Sequence, residues 1–150
     1  MVVFLGSPGG LDDDRTAVKD AAAEVNQQLR QFNIQVELCS GETHGPAGGR
    51  PQDDINADVD RCHIFIGLVW DTWGSPSGAA DSGFEEEYRR VAERRDAGGG
   101  SWPQPLLWFK DVPAHQQEDP GPKLQKVLDF RQELIDGKAE FFRGSVDECW

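Results

Sequence analysis

The segment HIFIGLVW (63–70) constrains the fold more than any other. From Ile64 to Val69 no side chain is polar. A strand that faces water on one side alternates apolar and polar residues. A continuous run needs cover on both faces, which parallel sheets receive from the helices of their crossovers. VVFLG (2–6) and PLLWFKD (105–111) share this character, IQVELC (34–39) alternates weakly, and AEFFR (139–143) reads as a last strand.

Between these runs the apolar period changes to that of a helix. Leu11, Val18, Ala22, Val25, Leu29 and Phe32 recur at intervals of three, four or seven residues, which places them on one helical face. PQDDINADVDRC (51–62) reads as a short helix with Ile55 and Val59 inward, and KLQKVLDFRQELID (123–136) as a longer one through Leu124, Val127, Leu128, Arg131 and Leu134. SGETHGPAGGR (40–50) reads as a glycine-rich loop and DAGGGSWPQP (96–105) as a connector inside the domain. SVDECW (145–150) reads as the opening of a further helix, so the chain is expected to be the N-terminal part of a longer protein.

Strands alternating with helices imply right-handed crossovers and one α/β domain over residues 1–150. The expected architecture is doubly wound and flavodoxin-like: a mostly parallel sheet of five strands with helices on both faces. Ligands of such folds bind beyond the carboxyl ends of the strands, where strand order reverses. Here that point would gather GSPGG (6–10), WDTWGSP (70–76) and the helix that opens at Ser82.

Charge narrows the partners. With 27 acidic and 15 basic residues the net charge is −12. No basic stripe is present, so neither nucleic acid nor an anionic membrane surface is an expected partner. The charge does not exclude a small anionic ligand, because a glycine turn or helix N-terminus can hold one phosphate. Cys39, Cys62 and Cys149 are odd in number and contain no CxxC pair, which predicts free thiols in a reducing compartment. The first apolar run is too short and lacks the basic flank of a signal peptide, and no stretch is long enough to span a bilayer; a cytoplasmic location is expected. His63 follows Cys62 at the start of a buried strand and His44 sits in the glycine-rich loop, so no metal-ligand spacing arises and no metal or resident cofactor is expected.

One helix opening carries the sharpest chemical signal. In DSGFEEEYRR (81–90), Ser82 with Glu85 three residues later forms a capping-box pattern. Phe84, Tyr88 and Val91 then share a face, Glu85 can pair with Arg89, and Glu86 with Arg90. Glu87 falls three residues after Phe84 and four before Val91, among the apolar positions. A carboxylate held there needs a partner or a function. Arg15 lies in the same situation, four residues after Leu11 and three before Val18. The two side chains form either a structural ion pair or two parts of one site. Asp12, Asp13, Asp14, Asp71 and Lys110 near strand ends suggest a phosphoacceptor site, but such a site puts its lysine on the fifth strand before a proline. Lys110 ends the fourth and precedes Asp111.

Taken together, VFLGSPGGLDDDR, ETH, PQDDIN, CHIFIGLVWDTWGSPSG, SGFEEEY and FKDVP resemble a bacterial domain-of-unknown-function family related to Toll/interleukin-receptor (TIR) domains. The blocks follow the family order over essentially the whole chain, with Asp14 and Arg15 matching its acidic-Arg pair. Phe84 stands where the family often has threonine, and Gly10 where an acidic residue is common. The resemblance implies a place at the N-terminus of a large intracellular protein with NTPase or repeat modules, and a role in bacterial defence or signalling.

The 81–87 segment is also similar to the Asp-x-Gly-Thr-x-x-Glu motif of nucleoside deoxyribosyltransferases, through Asp81, Gly83 and Glu87. Both likenesses imply that Glu87 is the catalytic acid of an N-glycosidic reaction, with NAD or a related nucleotide as substrate. They imply ligand contacts from the Gly6, Ser7, Pro8, Gly9 turn to phosphate, from Trp73 to a base, and from Arg15, Asp81, Ser82 and Phe84 around the pocket. Two alternatives stand beside this one: a non-catalytic module that self-associates or docks a protein, and a deoxyribosyl transferase with Glu87 as nucleophile.

Overall fold

The computed structural model describes residues 1–41 and 51–144. His44, Cys149 and the helix expected over 145–150 lie outside them. Strand β1 (Val2–Gly6) is followed by helix α1 (Asp12–Leu29) and a short 3-10 turn (Arg30–Phe32). Then come β2 (Glu37–Ser40), α2 (Pro51–Arg61), β3 (Ile64–Val69), α3 (Gly83–Ala97) and β4 (Gln104–Phe109). The described chain closes with α4 (Ala114–Glu118), α5 (Pro122–Asp136) and β5 (Phe142–Arg143). The strands form one five-stranded sheet in the order β2-β1-β3-β4-β5, and every pair is parallel. This is the flavodoxin-like arrangement, with its switch point between β1 and β3.

Handedness decides which face each helix covers. The chain steps from β1 to β2 in one direction and thereafter steps the other way, so right-handed crossovers put α1 on one face and the later helices on the opposite one. The packing agrees. Val59 of α2, Phe84 and Val91 of α3, and Leu124, Val127 and Phe130 of α5 join Phe4, Phe65 and Phe109 of the sheet in one core. On the other face Leu11 and Val18 pack on Leu5 and Leu68. Phe4 and Phe65 are fully buried and stack at 6.0 Å, and each contributes roughly 1.5–3 kcal/mol through burial.

The α1 face is more thinly covered. Val3, Ala22, Val25, Ile64 and Leu106 line an apolar cavity of about 250 Å³ beside the helix, so Ala22 and Val25 are half-buried rather than core. Phe32 departs further from expectation: α1 ends at Leu29, and the 3-10 turn leaves Phe32 64% exposed. On α5 the inward aromatic is Phe130, while Arg131 is only half-buried. The last strand is two residues long, and α4, too short to show a period, was not expected. Cys39 and Cys62 are buried free thiols. Among the described residues no helix is long and apolar enough to cross a membrane.

Candidate functional site

The carboxyl ends of β1 and β3 lead into two loops that touch. Gly74, at φ 84°, lies against Pro8: a β-carbon built on it would stand 3.4 Å from Pro8 Cβ. Below this contact is a cavity of about 380 Å³. Gly6, Ser7 and Pro8 border it from the β1 loop, Arg15 from α1, and Gly74 and Ser75 from the β3 loop. Gln52 and Ile55 of α2 and Gly83, Phe84 and Glu87 of α3 also border it.

Helix α3 is fixed at its start by Ser82, whose Oγ accepts a 3.0 Å hydrogen bond from the Glu85 amide. That cap sets the angular position of everything that follows. Phe84 and Val91 turn into the core, Glu85 turns out to Arg89 at 3.3 Å, and Glu87 turns toward β1. Glu87 is 7% exposed. Its Oε1 accepts from Gln52 Nε2 at 3.3 Å, whereas Oε2 is buried with no hydrogen-bond partner. A β-carbon on Gly6 would sit 2.6 Å from that oxygen, so glycine at this position is what admits the carboxylate.

Burial pushes the Glu87 carboxyl up to about 7; the Glu86 charge adds to the rise, and the Gln52 hydrogen bond and Arg15 oppose it. An orphaned acceptor next to a cavity, able to change charge near neutrality, is the pattern of a functional acid. It can accept from a hydroxyl or stabilise a developing positive charge.

Several expected residues fall elsewhere. Trp73 does not border the cavity: it is 4% exposed and packs in the core against Phe84 and Phe130, with ring centres at 5.9 and 5.1 Å. The loop turns it inward because the α3–α5 seam has room for a large ring, so it offers no free face to a base. Asp81 points to solvent and pairs with Lys126, and Ser82 is used wholly as the helix cap. Gly9, at φ 123°, shapes the turn without bordering the cavity. Phe84 does border it, with its ring shared between cavity and core.

Glu86 is the other departure. Arg90, its expected partner, pairs instead with Asp60 of α2. Glu86 is buried at 9% exposure and accepts from Asn56 Nδ2 at 2.6 Å and from the Ser77 hydroxyl. Asn56 Oδ1 in turn accepts from Gln52 Nε2 at 3.3 Å. Sequence reasoning passed over Gln52 and Asn56. The signal was their spacing: with Ile55 and Val59 they occupy the i, i+3, i+4 and i+7 positions of α2, which puts two amides on its inward stripe.

Comparison with known proteins adds one identification. No curated protein matches the chain. A family model does, over residues 2–147, and by that match the chain belongs to the family described as Domain of unknown function (DUF4062).

Proposed function

We propose that this domain is a TIR-like nucleotide-binding effector that cleaves the N-glycosidic bond of NAD or a related nucleotide, with Glu87 at the ribose. The observation that carries the reading is the buried, unpartnered Oε2 of Glu87 beside the switch-point cavity. Arg15 borders the same cavity as a cation for one phosphate, beside the Gly6–Pro8 turn. In the reaction the C1′–nitrogen bond breaks, and nicotinamide leaves with the bonding pair as a neutral base. The sugar passes through an oxocarbenium-like state that an ionised Glu87 stabilises, after which water adds to C1′ and releases its proton. A cavity of this volume suits the ribosyl end of a dinucleotide. The resemblance noted above supports a setting in bacterial defence or signalling, inside the cytoplasm and within a larger protein.

Nicotinamide release from NAD tests this directly, at low and high protein concentration. Glu87→Gln is expected to lower the rate by about 10²–10³-fold, the usual effect of removing one electrostatic stabiliser. Release in the wild type should rise with pH through about 7 as the carboxyl ionises. Failure to release nicotinamide under both conditions, with the domain folded, would defeat the reading. The half-covered apolar face beside α1 supports self-association as a second reading, non-catalytic or accompanying catalysis.

A further inference from the structure

The chain of side chains behind Glu87 has a direction. Glu86 accepts on both oxygens, from Asn56 and from Ser77. A carboxylate has only acceptors, so Asn56 must turn its NH₂ to Glu86 and its Oδ1 to Gln52. Gln52 must then turn its own NH₂ inward, where the two hydrogens meet Asn56 Oδ1 and Glu87 Oε1. Two acceptors are left toward the ligand. One is Glu87 Oε2, buried and without a partner. The other is Gln52 Oε1, which lies beside Gly83 at the start of α3, 2.6 Å from where a β-carbon would stand, and accepts no hydrogen bond among the described residues.

We propose that Glu87 and Gln52 together read the cis-diol of a ribose, Glu87 Oε2 accepting from the 3′-hydroxyl and Gln52 Oε1 from the 2′-hydroxyl, and that Asn56 and Glu86 are positioning residues that fix this polarity without touching the ligand. The proposal rests on the ribose reading of the cavity and narrows it: the substrate class is ribonucleotides rather than deoxyribonucleotides. A site built around acceptors discriminates because a missing hydroxyl leaves one of them unpaired. Glu86 and Ser77 also tie the site to the loop before α3. The Ser77 Oγ that donates to Glu86 accepts from the amides of Ala79 and Ala80 at 3.3 and 3.0 Å.

Binding of AMP and of 2′-deoxy-AMP to the intact chain, measured calorimetrically at pH 8, tests this without requiring catalysis. The wild type should bind AMP about tenfold more tightly, the equivalent of one hydrogen bond. Gln52→Met keeps the length of the side chain but removes the amide, and should bind the two nucleotides equally. Glu86→Gln is the sharper variant. Its new NH₂ can donate to Asn56 Oδ1, which turns the Asn56 NH₂ toward Gln52 and sets two donors face to face, so the Gln52 amide is no longer held with Oε1 on the diol. The preference should vanish although residue 86 does not reach the ligand, while a residue that merely supported the fold would weaken both nucleotides alike.

Equal wild-type affinities would overturn the diol reader and leave Glu87-dependent nicotinamide release standing. A full preference retained in folded Glu86→Gln would overturn the polarity argument. Nicotinamide release without AMP binding would overturn the pose, and absence of both would remove the ribose reading and this proposal together.

Discussion

Two acids are carried inward at the carboxyl end of this sheet, and the fold treats them oppositely. Asp14, in the first turn of α1, is 3% exposed and meets Lys110 Nζ at 2.8 Å, with the ammonium also 5.4 Å from the centre of the Trp70 ring. Glu87, in the second turn of α3, is nearly as buried but has an amide for its hydrogen-bond partner and an oxygen with none. Asp14 has a counter-charge in direct contact. Glu87 has had its charge made costly and its second acceptor left open. Burial is common to both, so burial alone does not mark a site; the identity of the partner does.

Removing the counter-charge should give the largest loss of stability. Lys110→Met keeps an apolar stem over Trp70 but leaves Asp14 without the lysine, and should cost about 2–3 kcal/mol in urea unfolding. Unchanged stability would mean that Asp14 is held equally well by other groups, and the contrast would collapse.

Glu87→Gln should act in the opposite sense, and only at one end of the pH range. Because the folded carboxyl titrates near 7 against an ordinary 4.5, its contribution is fully present below the lower value and is lost as pH rises through the upper one. The variant should therefore exceed the wild type by roughly 2–3 kcal/mol at pH 8 and match it near pH 4. A pH-independent difference would show that Glu87 is already compensated. Arg89→Ala provides the baseline. Its pairs with Glu85 and Glu133 are surface contacts, with the arginine side chain 46% exposed, and their loss should change stability by no more than about 0.5 kcal/mol.

The sequence disclosed the fold better than the site. Continuous apolar runs demand a two-sided sheet, and alternation with helical periods then leaves little choice of topology. What failed were local details that depend on tertiary cover. Phe32 continues the period of α1, yet the helix stops before it. Phe130, three residues after Val127 and four before Leu134, lies on the inward stripe of α5 and packs on the rings of Phe84 and Phe109, although the expected face had Arg131 in that place. At the site, Glu87 and Arg15 were legible because a charge on an apolar stripe is conspicuous. Gln52 and Asn56 were passed over although they share the inward stripe of Ile55 and Val59, because neutral amides there are less conspicuous than charges. Glu86 was misread because position on one helix does not say what faces it from the next.

Gly6 has a consequence of its own. The carboxylate of Glu87 occupies space that any other residue at position 6 would fill, with Phe65 closing the remaining side at 2.9 Å from the hypothetical β-carbon. A single methyl group there would displace the acid without altering one ionisable residue or the charge of the chain. The position of this carboxylate is thus encoded twice, once by the glutamate and once by the missing side chain at position 6, and a relative that kept the first but not the second would have to hold its acid elsewhere.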